Sequence, residues 1–443
     1  MDTTYDVIVI GGGLAGLTAA ATASNAGVSV LVVDRQQPGG RATTDERTGY
    51  LLNRGAHALY RAGSAVEVLK RLGITPRGSV PTLDQPTVLV DGDLQKLPTG
   101  PGSLASSRWL GSRDKLQFSR LLGGVGLRPA HTARGLGSTS AASWLASLNL
   151  RPRVQGLVEA LVRVTSYCSD LDRVSGDVTA LQLGRGTRSG VMYLDGGWQQ
   201  LVHALLARVP ASLQARVDSI GSTPGGFAVE IDSGQYCARS IIVAAESAVS
   251  AHRLLAPLGC ALPAPPTPNT VSAACLDMVT ADRPTPSFIL GIDDPVYLSL
   301  HSSSADLRAP AGNGSPRQGS RHVVHLLRYG ARSASADRPL LEATARRAGL
   351  RPDAETSRFF ADLTVVSDAP LPASGGLASR PDIGCAGLPG CYVAGDWVGP
   401  HDFLAGTSLA SGERAGLAAA AHVAAARKIA GSRSGNSPET SVA

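Results

Sequence analysis

The strongest constraint on this chain is six residues long. Gly11-Gly12-Gly13-Leu14-Ala15-Gly16 satisfies the spacing G-x-G-x-x-G and lies between two apolar stretches. Residues 5–10 read as a short buried strand, and residues 14–25 as an alanine-rich helix with Gly27 as its C-cap. Residues 28–33 read as a second buried strand, closed by Asp34. This is a βαβ opening, and it places a parallel sheet at the N-terminus. The glycines have separate duties. Gly11 permits the tight turn, Gly13 lets the backbone approach a pyrophosphate, and Gly16 lets the helix pack closely on the sheet. The helix start offers Leu14 and Ala15 N–H groups and a positive dipole end to the phosphates. Asp34, 18 residues after Gly16, stands where a carboxylate accepts ribose hydroxyls. The uncharged run 7–33 has the length of a membrane span. Its three consecutive glycines, Asn25 and Gly27 favour strand, turn and helix instead.

With 443 residues, the chain has room for two or three domains. A hydrophobic content of 43% supplies a large core and excludes wholesale disorder. The formal charge of +6 is spread thinly, with no single basic stripe, so no nucleic-acid partner is expected. The six cysteines, at 168, 237, 260, 275, 385 and 391, contain no C-x-x-C pair. No metal site is expected, and reduced thiols in a cytoplasmic protein are the simplest reading. Residues 1–6 carry no basic side chain, so a secretory signal is not expected.

Residues 76–137 are rich in Gly, Pro, Ser and Arg and read as short strands mixed with loops. Helices are expected over 138–148, 153–168, 198–208 and 340–348, and a long one over 407–428. Strands are expected over 217–220, 227–231, 240–245 and 392–394. The proline-rich run 257–270 reads as a crossing between domains. Strands near 271–279, 287–300 and 322–329 point to an antiparallel sheet, with a flexible insert over 303–321. The polar tail from Gly431 reads as disordered.

Gly39-Gly40-Arg41 follows Asp34 closely. Here the chain resembles the flavoprotein superfamily of amine oxidases, protoporphyrinogen oxidases and phytoene desaturases. The resemblance continues at Gly190-Val-Met-Tyr-Leu-Asp-Gly-Gly-Trp-Gln-Gln-Leu-Val and through 217–245. It returns at Tyr392-Val-Ala-Gly395-Asp396-Trp397 and at Gly406-Thr407-Ser408-Leu409-Ala-Ser-Gly-Glu-Arg-Ala415. Ala245-Glu246 departs from it, since many relatives have a small residue and proline there. The resemblance implies an α/β chain with a Rossmann-like, GR2-type FAD-binding domain built from the separated segments 1–75, 190–256 and 381–430. An α+β substrate domain with an antiparallel sheet would come from 76–189 and 257–380, leaving 431–443 as a tail.

The implied cofactor is non-covalent FAD. Asp34 would stand at its ribose, with the adjacent Arg35 a further cofactor-binding residue, and Gly39, Gly40 and Arg41 would run along phosphates and flavin. Val217 would lie near adenine, Ala245 would be a further cofactor-binding residue at the end of the same returning segment, and Gly395 and Asp396 would lie at the ribityl or pyrophosphate region. The helix start at Gly406, Thr407, Ser408 and Leu409 would face the flavin. Gly55 and Ala56 would form a turn beside the ring. His57 and Phe403 are the candidates for the flavin face, each weighed against a packing role.

The basic residues sharpen the chemistry. Only Lys70, Lys96, Lys115 and Lys428 are lysines; the other 37 of 41 are arginines. Many amine oxidases of this superfamily use a substrate-domain lysine bonded through water to the flavin. No lysine occurs from 116 to 427, and arginine does not readily lose its proton. The first expectation is therefore a desaturase-like enzyme that dehydrogenates an apolar or partly apolar small molecule by hydride transfer to the flavin. The alternatives are an amine or protoporphyrinogen oxidase releasing hydrogen peroxide, and a non-catalytic or redox-neutral flavin protein. The electron acceptor is read as oxygen or a quinone, and peripheral membrane contact stays open.

Overall fold

The computed structural model describes residues 3–260, 262, 268–310 and 321–434. Thr3–Ile10, Leu14–Asn25 and Val30–Asp34 form the opening βαβ unit. The run that mimics a membrane span is thus a strand, a turn and a helix. Among the described residues no helix is long and apolar enough to cross a membrane.

The first sheet runs Ala211–Gln214, Val30–Asp34, Thr3–Ile10, Gly234–Val243, Gly226–Ile231, Val217–Thr223. The first four strands are mutually parallel, and the last two return antiparallel. Gly234–Val243 divides its outer edge. Its first half pairs with Gly226–Ile231, and Ile241 to Val243 pair in parallel with Cys391–Val393. Three distant stretches of chain therefore complete one sheet, as the resemblance implies.

The helix Leu14–Asn25 covers one face of this sheet together with the C-terminal helix Ala405–Ser434. Their approach is close. A Cβ at Gly412 would stand 2.3 Å from the Ala15 carbonyl oxygen, and one at Gly416 would stand 2.4 Å from that of Ala19. Glycine at these two positions is what lets the backbones meet.

The second sheet runs Ser357–Val366, Val271–Thr280, His322–Tyr329, Val296–Leu300, Phe288–Gly291, Thr87–Val90, Asp93–Lys96. It is antiparallel except where Phe288–Gly291 meets Thr87–Val90. Helices of the 101–189 region pack on one side of it, and Ala334–Arg347 packs on the other.

Several elements differ from the sequence reading. Residues 76–137 hold a 16-residue helix, Ser112–Leu127, that glycines at 123, 124 and 126 disguise. Its buried Phe118 and Val125 are seven residues apart, so one face packs despite poor local propensity. Gly176–Ser189 is a further helix and Ser357–Val366 a further strand. The run 287–300 is a hairpin that turns at 292–295. The helix expected from Leu340 starts at Ala334, because the Ser333 side chain caps it and Pro339 is tolerated inside. Of the insert expected over 303–321, residues 311–320 lie outside the described residues. Of the tail from Gly431, only 431–434 is described, and it continues the C-terminal helix.

Candidate active site

The carboxyl ends of the parallel strands carry most of the residues singled out above. Main-chain bonds stitch the strand ends together: Gly11 N–H to Val33, Ala244 N–H to Ile10, Ala394 N–H to Val243, and Ala215 N–H to Asp34. Gly11 and Gly16 are crowded by the protein itself. A Cβ on Gly11 would stand 2.3 Å from the Ala244 carbonyl oxygen, at a φ of +109°, and one on Gly16 would stand 1.9 Å from that of Gly11. Gly13 is the opposite case, since a Cβ there would meet nothing within 4 Å. Gly13 is also the N-cap of the first helix. No side chain caps that terminus, and no acid stands in its first turn. Open space before uncapped N–H groups is what a pyrophosphate requires.

The Asp34 carboxylate borders this space. It accepts the Gly12 N–H at 2.5 Å and the Gln36 N–H at 2.8 Å, and it keeps lone pairs for a ribose. Arg35 points away to Glu246 at 3.0 Å across an exposed gap. Gly39 N–H donates to the Gly12 carbonyl, which brings the 39–41 turn onto the glycine loop. The FAD pyrophosphate and adenosine therefore fit the residues present. Val217 begins the strand beside Ala215, and the Ala245 carbonyl accepts the Trp397 indole at 3.5 Å.

Asp396 is buried beyond the last parallel strand. The Arg41 guanidinium reaches it at 2.8 Å, and the Ser367 N–H and hydroxyl at 3.0 and 2.6 Å. Burial works to raise this carboxyl, but Arg41 and Ser367 outweigh it and hold it below its ordinary value. Arg41 also donates to the Val365 carbonyl, so it bridges the two sheets. Gly395 N–H donates to Ser411 on the C-terminal helix.

That helix begins at Ala405, two residues before the expected start. Asp402 folds over its first turn, where a Cβ on Gly406 would stand 2.4 Å from the Asp402 carboxyl carbon. Asp402 also pairs with Arg185 and accepts the Ser64 N–H. Thr407, Ser408 and Leu409 are buried. Phe403 is 1% exposed and packs in an apolar cluster with Cys168, Val178, Val366 and Leu377, beneath the Arg380 guanidinium.

His57 lies in a different cluster. Its ring meets the edge of Trp198 at 5.0 Å, and Nδ1 stands 3.1 Å from the Gly55 carbonyl oxygen. Burial lowers its imidazole, against the pull of the Gly55 and Arg41 carbonyls. Arg41 is thus near enough to the 55–57 turn for its backbone to act on the imidazole. The Asn53 side chain adds a third piece, accepting the Trp198 N–H at 2.8 Å after the paired Gly196 and Gly197.

Sequence reasoning missed the side chains beneath this turn. Asp277 lies mid-strand, and its register partners on the flanking strands are His325 and Arg358. His325 Nδ1 is 2.6 Å from one Asp277 oxygen, and Arg358 Nε is 3.0 Å from the other. Burial would raise the Asp277 carboxyl; His325, Arg358 and the Gly55 N–H outweigh it and hold it low. His301 meets the edge of His325 at 4.5 Å and stacks on Tyr193 at 3.8 Å. Burial, then His325 and His57, keeps His301 well below the usual imidazole range. The signal was present: Asp277 interrupts the apolar run 273–279, and His325 the apolar run 323–327. Among the described residues no cluster of metal-binding side chains occurs, and all six cysteines are free.

Comparison with known proteins agrees with this geometry. The family of flavin containing amine oxidoreductases matches residues 14–279. No curated protein matches the sequence significantly. Among solved structures, a double mutant of putrescine oxidase superposes with a TM-score of 0.68 at 16% identity, covering 96% of this chain and 100% of that one. Cyclohexylamine oxidase from Brevibacterium oxydans IH-35A gives 0.67 at 19%, covering 95% and 99%. A protein described as a candidate protoporphyrinogen oxidase from Exiguobacterium sp. 255-15 gives 0.67 at 17%, covering 95% and 99%. With the family matched over more than half its length, and with a glycine loop and carboxylate that fit FAD, the chain belongs to the flavin containing amine oxidoreductases and is an FAD-dependent oxidoreductase.

Proposed function

We propose that the chain is an oxidase of the amine oxidase and protoporphyrinogen oxidase type. It would take a hydride from the carbon beside nitrogen in an amine, or from a bridging carbon of a porphyrinogen, with oxygen as the electron acceptor and hydrogen peroxide as the product. The observation that carries this reading is the convergence of the 11–16 loop, Asp34, the 39–41 turn and Asp396 at one end of the parallel sheet. The structures named above are amine oxidases and a protein described as a protoporphyrinogen oxidase. This favours the oxidase reading over dehydrogenation of an apolar C–C bond.

Bound FAD supplies the hydride acceptor, and the chain supplies binding and orientation. The N–H groups around Gly13, Leu14, Ala15 and Gly16 would hold the pyrophosphate, with Gly11 keeping the turn closed. Asp34 would hold the ribose, with Arg35 beside it and the adenine between Val217 and Ala245. Gly39, Gly40 and Arg41 would run along the phosphates, and Gly395 and Asp396 would meet the ribityl chain. The helix start at 406–409 would set a positive dipole end toward the ring. Gly55, Ala56 and His57 would line the ring, and Phe403 would close the opposite side from its apolar cluster. Burial lowers the His57 imidazole, which favours the uncharged ring that would orient an amine without repelling a cation.

A lysine takes no part in this reading. Lys70, Lys96 and Lys428 are exposed, and Lys115 donates to the Ala105 carbonyl. The sheet face toward the 55–57 turn carries Cys275 and Asp277 instead. The test is anaerobic mixing of the FAD-loaded protein with primary amines, secondary amines and a porphyrinogen. One of them should bleach the visible flavin band and release peroxide when air is admitted. A yellow protein that dithionite reduces but no member of the panel does would sink the reading.

A further inference from the structure

The Asp277 row is more than the fold needs. Asp277 and His325 side chains have no exposure at all, and Arg358 retains 13%. A buried ion pair of this kind adds little net stability over apolar residues of the same size, because desolvation offsets the attraction. The row does something that apolar side chains cannot, which is to bind backbone. Asp277 Oδ2 accepts the Gly55 N–H at 3.1 Å. Arg358 Nη2 donates to the carbonyls of Leu52, at 3.1 Å, and Asn53. From a third element, the Tyr167 hydroxyl donates to the Ala56 carbonyl at 2.9 Å. Four backbone groups within residues 52–56 are thus bound by side chains of the substrate half. Gly55 adopts a φ of +79°, and a Cβ there would stand 3.0 Å from Cys275 Sγ. The turn lies flat on the sheet, and the row fixes its height.

We propose that Asp277, with Arg358 and Tyr167, is a positioning residue that sets the 55–57 turn against the flavin ring. His325, held through Nδ1, fixes the orientation of the Asp277 carboxylate. The inference rests on the placement of this turn beside the flavin proposed above. Asp277 itself touches neither cofactor nor substrate. It acts through the Gly55 N–H, much as an outer carboxylate orients an inner ligand. A misplacement of about 1 Å at such a site can cost about a hundredfold in rate.

The test reads the flavin and needs no substrate. The probe is sulfite, which adds reversibly to oxidised flavin and bleaches its visible band. Wild type, Asp277→Asn and Tyr167→Phe are loaded with FAD, checked for flavin-to-protein ratio and thermal midpoint, and titrated with sulfite. Both variants should keep the wild-type flavin ratio. The apparent sulfite Kd should change at least about tenfold in Asp277→Asn and about threefold in Tyr167→Phe, with altered visible circular dichroism. Folded, FAD-loaded variants with wild-type sulfite affinity and dichroism would overturn the assignment. If Asp277→Asn does not fold, Tyr167→Phe decides alone by the same criteria. A folded wild-type protein that takes up no FAD overturns the reading beneath the proposal, and is told apart by its lack of colour.

Discussion

The two ends of the candidate site are built from different materials. The phosphate end is made of backbone: glycines, uncapped N–H groups and a single carboxylate at its margin. The end under the 55–57 turn is made of side chains, with a carboxylate, an imidazole and a guanidinium in one row across three strands. A backbone site is sensitive to any atom added, and a side-chain site to any charge removed. The two ends should therefore fail in different ways.

The largest effect is expected at Gly16. Gly16→Val forces a side chain into the Gly11 carbonyl, 1.9 Å from even the first carbon. Loss of the folded flavoprotein is expected, read as the absence of soluble yellow protein; a soluble variant with bound FAD would contradict the close approach. Next comes Asp277→Ala, which leaves the buried His325 without its carboxylate partner and Arg358 paired with Asp45 alone. Breaking a buried pair costs about 3–5 kcal/mol, measurable by urea unfolding of the FAD-loaded protein. A loss below about 1 kcal/mol would show that the row is not coupled as drawn.

Gly13→Ala sharpens the contrast within the phosphate end. Its Cβ meets no protein atom within 4 Å, so the thermal midpoint of the FAD-free protein should hold while FAD affinity falls about tenfold, or ~1.4 kcal/mol. Equal losses in both would break the distinction between crowded and open glycines.

Asp396 gives a pH signature. Its folded carboxyl lies below the ordinary value. Its contribution is therefore complete above the unfolded value of about 4 and is lost as pH falls through the lower, folded one. The stability gap between wild type and Asp396→Asn should narrow as pH drops below about 4, as followed by urea unfolding across acid pH. The smallest effect belongs to Arg35→Ala. Both partners of the Arg35–Glu246 pair are 65% exposed, so a change within about 0.5 kcal/mol is expected in thermal unfolding.

These ends also differed in how far they could be read from sequence. The phosphate end was legible because its parts are local. The spacing of Gly11, Gly13 and Gly16 and the distance to Asp34 lie within one βαβ unit. The Asp277 row was not, because its members become neighbours only through the register of Val271–Thr280 with His322–Tyr329 and Ser357–Val366. The third of these strands was not recognised, since its alternation is weak and much of it is partly exposed. Phe403 shows the converse. Its place next to the C-terminal helix was evident, but its neighbours Cys168, Val178 and Leu377 come from segments whose packing no spacing rule reveals.

The divided edge of Gly234–Val243 has a consequence for how the protein assembles. Ile241 to Val243 wait for Cys391–Val393, about 150 residues downstream, before their side of the sheet is closed. Pairings that distant form slowly, because a long loop must be ordered before the contact rewards it. During synthesis the glycine loop would emerge early, but the chain that carries Asp396 emerges only after every strand of the second sheet. Until then the parallel sheet has an open edge, which makes the interval before the last strand docks the step most exposed to aggregation.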